Sequence, residues 1–94
     1  MKAVTFKNFG NSEVLEISEI EIPKFSEDEV LIKVEGAGVN RPDIIQRLGF
    51  YPPPKGASEI LGLEVSGTIV EIGKDIDKNF IGKKVCALLT GGGY

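Results

Sequence analysis

These 94 residues contain no histidine, no tryptophan and one cysteine, Cys86. With one thiol and no imidazole, the chain cannot supply a tetrahedral zinc site of Cys and His ligands. An intrachain disulfide is excluded as well, which suits a reducing compartment and leads us to expect the cytoplasm. The acids show no ordered spacing of the kind that holds calcium or magnesium. No metal is expected. Positive charge is not in excess: 11 basic residues face 14 acidic ones, for a net charge of −3. That balance gives no footprint for nucleic acid or for an anionic membrane surface. The longest apolar run, Val85 to Leu89, has five residues, far fewer than a membrane span needs. Met1-Lys2 leads directly into Ala3-Val4-Thr5-Phe6, a strand-like start without a signal-peptide core.

What is present describes one small globular domain, residues 1–94. Apolar residues make up 41% and charged residues 27%, which separates the chain from disordered sequences. Lys2 to Lys7 reads as a first strand, and Asn8 to Ser12 as a turn. Val14 to Ile22 alternates with a phase slip, because Leu15 and Ile17 are odd while Ile20 and Ile22 are even. That slip predicts a bulge or bend near Ser18-Glu19. Val30, Ile32 and Val34 give a buried face with Lys33 and Glu35 outward. Val65 to Ile72 forms the next strand, and Gly67 inside it marks a bend or close backbone approach. Val85 to Leu89 forms another, in which Cys86 is expected to be buried and inert. Short strands with one helix predict a β-barrel or sandwich.

The chain is organised around Val34 to Gly73. Gly36-Ala37-Gly38 closes a strand, and Arg41 to Leu48 then reads as a short helix. Asn40 is its N-cap, Pro42 fits the first turn, Asp43 suits the positive end and Gly49 the stop. Phe50-Tyr51 follows, then three prolines, Pro52 to Pro54, which keep the loop extended. A capped helix between two strands, with an amide and a phenol beside it, looks like one wall of a binding cleft. Gly91-Gly92-Gly93-Tyr94 reads as a flexible link to a further element, so we expect a longer natural chain.

The run Asn40-Arg41, Asp43, Gln46-Arg47, Gly49, Tyr51, Pro53-Pro54, Gly56-Ala57-Ser58 and Ile60 to Glu64 resembles a known family. It is similar to the amino-terminal GroES-like domain of medium-chain dehydrogenase/reductases, in their zinc-free quinone oxidoreductase branch. The likeness extends to the tumour-suppressor-inducible quinone oxidoreductase subgroup. The zinc-dependent alcohol dehydrogenases resemble the chain at Gly38-Val39 and Asp43, but carry a zinc ligand where Asn40 stands and another where Leu63 stands. The resemblance implies a mainly β, partly open GroES-like barrel with one short helix, ending before a dinucleotide-binding domain. Gly36 to Arg41 is not that domain's fingerprint, since Arg41 replaces the third glycine and no βαβ unit surrounds it.

The implied activity is zinc-independent reduction of a small-molecule quinone with NADPH, held mainly by the missing domain. Asn40, Arg41, Ile45 and Tyr51 are then the cofactor-side residues. Tyr51 is the catalytic candidate, through its phenol, and Gln46 the substrate candidate. Each has a plainer structural role too: Asn40 caps the helix, Tyr51 packs on the prolines, and Arg41 is solvated. Glu64 is expected to bond backbone or Arg47. Two further functions stay open: an enone or double-bond reductase of the same superfamily, and a non-catalytic β-barrel interaction module. The parent is expected to be a homodimer, and the isolated chain to be inactive and to self-associate through open strand edges.

Overall fold

The computed structural model describes residues 1–94 and is mainly β with one helix. Strands β1 (Lys2–Thr5) and β2 (Glu16–Glu19) pair antiparallel, with Lys2 opposite Glu19 and Thr5 opposite Glu16. Strands β3 (Val30–Ala37), β4 (Glu64–Ile72) and β5 (Lys84–Leu88) form a second antiparallel sheet in the order β3-β4-β5. Neither sheet closes on itself. Between β3 and β4 lies α1, Arg41–Leu48, with the bounds that its caps predict.

The core is small: among apolar residues only Ala3, Leu61, Val65 and Ile69 are buried. Val65 and Ile69 alternate with Gly67 along β4, so the inward face carries two large side chains and a gap between them. The gap is needed, because a Cβ at Gly67 would overlap the Lys33 carbonyl oxygen on β3. The close approach read from the glycine is therefore present.

Strand β2 stops at Glu19 without a bulge, and Ile17 on it is exposed. The irregularities fall in β3 instead, between Leu31 and Ile32 and between Val34 and Gly36. They spoil the strict alternation expected there, and Val34 ends up 46% exposed. The triple glycine is pinned, not loose. Gly92 N–H donates to Ile60 O at 2.7 Å, Gly93 N–H to Gly62 O and Tyr94 N–H to Leu61 O. Val4 N–H donates to Tyr94 O at 3.3 Å, so this segment joins the two sheets.

Cys86 is exposed, against expectation. Val85 and Ala87 lie opposite Gly67 and Val65 and share their inward face, which turns Cys86 and Leu88 outward. A thiol reagent should therefore titrate one thiol per chain without denaturant. Reaction only after unfolding would contradict the outward placement.

Candidate functional site

Helix α1 begins at a capping box. Asp43 Oδ2 accepts the Asn40 N–H at 2.9 Å, and the Asn40 carbonyl oxygen accepts the Asp43 N–H at 3.0 Å. The helix ends where Gly49, at φ 94°, takes the left-handed conformation that glycine adopts without strain. A Cβ at Gly49 would also lie 2.9 Å from the Phe9 ring, so the glycine makes room for an aromatic contact.

Asp43 does more than cap. It is 2% exposed, and its Oδ1 accepts the Gly62 N–H at 3.3 Å. Its Oδ2 also accepts the Tyr94 hydroxyl at 2.9 Å. One carboxylate thus ties the helix start to the segment before β4 and to the chain's last residue. Burial, followed by the hydrogen bond and charge of Asp43, pushes the Tyr94 phenol up from 10.0 to about 12. The folded chain therefore keeps this proton where the unfolded chain has lost it. The stabilisation is fully present below pH 10 and fades as pH rises toward about 12. Tyr94→Phe should show a flatter loss of stability across this window in chemical denaturation; an identical slope would contradict the linkage.

At the other end of the helix lies a cleft of about 400 Å³, within the range of small-molecule sites. The loop after β1 contributes Phe6, Lys7 and Phe9; the helix end contributes Gln46; Tyr51, Pro52 and Pro53 face from the proline loop. Gln46 is 5% exposed and donates from Nε2 to Glu59 O at 3.1 Å. Tyr51 is 40% exposed, and its hydroxyl has no partner within the chain. The lining thus mixes aromatic, proline and aliphatic side chains with the charged Lys7 and Glu59, the Tyr51 phenol and the anchored Gln46 amide.

Tyr51 and Gln46 are brought together here. Asn40, Arg41 and Ile45 do not line the cleft. Arg41 and Ile45, one turn apart, lie on the helix face opposite Asp43 and Gln46. Arg41 is exposed and unpaired, and Asn40 and Ile45 are half-buried. Glu64 is expected from the sequence to bond backbone or Arg47, and its side chain makes neither bond. Arg47 Nε–H donates to Gly10 O at 3.1 Å, and the exposed Glu64 side chain lies against Gly38. No group of three His, Cys, Asp or Glu side chains is placed to hold a metal ion. Sequence reasoning missed Asp43 as a hub and Phe6 and Phe9 as a wall. The only available signal was two aromatics just before the turn at Gly10.

The family model for the alcohol dehydrogenase GroES-like domain matches residues 26–93. The chain belongs to this family, a domain of the medium-chain dehydrogenase/reductase superfamily. Among its relatives is an acryloyl-coenzyme A reductase from Sulfurisphaera tokodaii, 39% identical over 89 residues. That match covers 95% of this chain and 26% of the relative. The quinone oxidoreductase from Coxiella burnetii superposes with a TM-score of 0.83 at 33% identity, covering 94% of this chain and 29% of that one. An Escherichia coli quinone oxidoreductase, solved with NADPH, superposes with a TM-score of 0.80 at 27% identity. It is covered to 27%, by 95% of this chain. The chain spans between a quarter and three-tenths of the length of these relatives.

Proposed function

We propose that this GroES-like domain is the substrate-side wall of a zinc-independent oxidoreductase that reduces quinones with NADPH. The observation that carries the reading is the cleft. In a chain whose relatives include quinone oxidoreductases, it joins an unpaired Tyr51 hydroxyl, a buried Gln46 and the rings of Phe6 and Phe9. Zinc independence rests on the donor set, since one outward thiol and no histidine leave no soft ligand cluster. The subgroup likeness of the run from Asn40 to Glu64 supports placement among tumour-suppressor-inducible quinone oxidoreductases.

The donor set suits one edge of a dinucleotide. The Asn40 carboxamide, the exposed Arg41 guanidinium and the Tyr51 phenol would hold it, with Ile45 as apolar contact. NADPH, when bound, supplies the hydride. The chain builds only one helix, so the βαβ unit that binds most of a dinucleotide comes from outside these residues. Quinone reduction adds a hydride and a proton, and negative charge develops on the carbonyl oxygen. Tyr51 donates a hydrogen bond to that oxygen, and the proton comes from solvent, to which the 40% exposed Tyr51 is open. Gln46, fixed by Glu59 O, orients the ring.

The 39% identity to an acryloyl-coenzyme A reductase favours a second reading, reduction of an activated double bond. The two separate in one assay of NADPH oxidation by the protein carrying this chain, with a quinone or an enoyl thioester. The quinone should be preferred, and Tyr51→Phe should lower its kcat/KM about tenfold, or about 1.4 kcal/mol. Preference for the thioester would replace the quinone reading. An unchanged kcat/KM in Tyr51→Phe would remove Tyr51 from the chemistry.

A further inference from the structure

The cleft has a second half that the carbonyl chemistry leaves unused. In the same lining, Phe6 and Phe9 stand with ring centroids 6.1 Å apart and planes tilted by 51°. Phe9 is 68% exposed, yet its neighbours hold it in place. Gly10 N–H donates to Arg47 O at 3.1 Å, and Arg47 Nε–H donates back to Gly10 O at 3.1 Å. This pair of bonds clamps the loop to the end of the helix. The Phe9 ring meanwhile rests over Gly49, where any Cβ would collide with it. A large apolar side chain held this firmly at a cleft lip is costly to leave wet and is pre-organised for contact.

We propose that Phe6 and Phe9 form an apolar subsite that binds the non-reacting arm of the carbonyl substrate, with Phe9 as its specificity residue. The inference rests on the reading of the cleft as the substrate site. A ring seated by Tyr51 and Gln46 occupies only part of about 400 Å³, and the remainder of the lining includes both phenylalanines. Lys7 sits beside this half, but its ammonium is turned to Glu16 at 3.7 Å and is 85% exposed. The subsite therefore suits an alkyl or aryl arm and not an anionic one. Substrates bearing such an arm gain affinity through contacts remote from the reacting carbon.

The test uses phenols, because quinones would alkylate the exposed Cys86. Phenol and 4-butylphenol are titrated into the isotopically labelled 94-residue chain and followed by NMR. Phenol should perturb Tyr51 and Gln46; 4-butylphenol should also perturb Phe6 and Phe9 and bind at least tenfold more tightly. Phe9→Ala should cut that preference below threefold while changing the Kd of phenol less than twofold. Phe9→Leu, which keeps an apolar side chain, should restore at least half of the lost preference. A preference unchanged in Phe9→Ala overturns the subsite and leaves the substrate cleft standing. If phenol itself leaves Tyr51 and Gln46 unshifted, the substrate reading fails and the subsite fails with it.

Discussion

Asp43→Ala should lower the stability of the chain by about 4 kcal/mol, read from the midpoint of urea unfolding. The carboxylate accepts three hydrogen bonds, from Asn40 N–H, Gly62 N–H and Tyr94 O–H. Bonds to a charged group are worth roughly 1.5–3 kcal/mol each, and orphaned buried N–H groups cost about 1–3 kcal/mol. Alanine removes the acceptor and leaves both backbone donors without a partner in a site that is 2% exposed at Asp43. For a domain of this size the total stability is on the order of 5–15 kcal/mol, so this single change should consume much of it. Asp43→Asn should cost less, because one acceptor oxygen survives. A loss below about 1 kcal/mol for Asp43→Ala would mean that the three segments do not depend on this carboxylate.

Gly67→Ala should be as damaging, at about 3–5 kcal/mol, for a reason of space instead of charge. Gly67 sits between Val34 on β3 and Val85 on β5, in the middle of the sheet. A methyl there would overlap the Lys33 carbonyl oxygen and approach Ile32 Cγ2 to 2.9 Å. The obstruction is backbone, so relief requires β3 and β4 to move apart. Gly38→Ala makes the informative contrast. Its methyl also meets an atom too closely, but that atom belongs to the exposed Glu64 carboxylate, which can swing into water. Gly38→Ala should therefore stay within about 1 kcal/mol of the parent. Equal costs for the two variants would show that the close approach at Gly67 is not a constraint on the sheet.

Legibility followed the range of the interactions. Helix α1 was readable to the residue because its signals are local: Asn40 before it, Pro42 and Asp43 in its first turn, Gly49 after it. Gly67 was readable because glycine inside a strand has few other reasons to be there. Cys86 was not. The run Val85 to Leu89 is apolar throughout, so nothing in it shows which parity faces inward. Only pairing with Val65 and Gly67 decides that. The pinned Gly91–Tyr94 segment was hidden for a similar reason, since its partners lie about thirty residues away at Ile60 to Gly62. Asp43 looked like a helix-end charge because two of its three partners, Gly62 and Tyr94, are 19 and 51 residues distant.

The site was legible in part. Tyr51 and Gln46 were named from the family run, and the structure puts them in one cleft. Their neighbours Phe6 and Phe9 come from the start of the sequence, and the Gly10–Arg47 clamp holds their loop at the helix end. Asn40, Arg41 and Ile45 lie along a different side of the helix and do not line that cleft.

The most direct test of this account is an NMR titration of the 94-residue chain with NADPH. The account predicts shifts at Asn40, Arg41, Ile45 and Tyr51, weak in affinity but confined to that side of the helix and the cleft rim. Shifts centred elsewhere, on the outer face of β5 for example, would contradict the placement of the cofactor edge and with it the proposed active site.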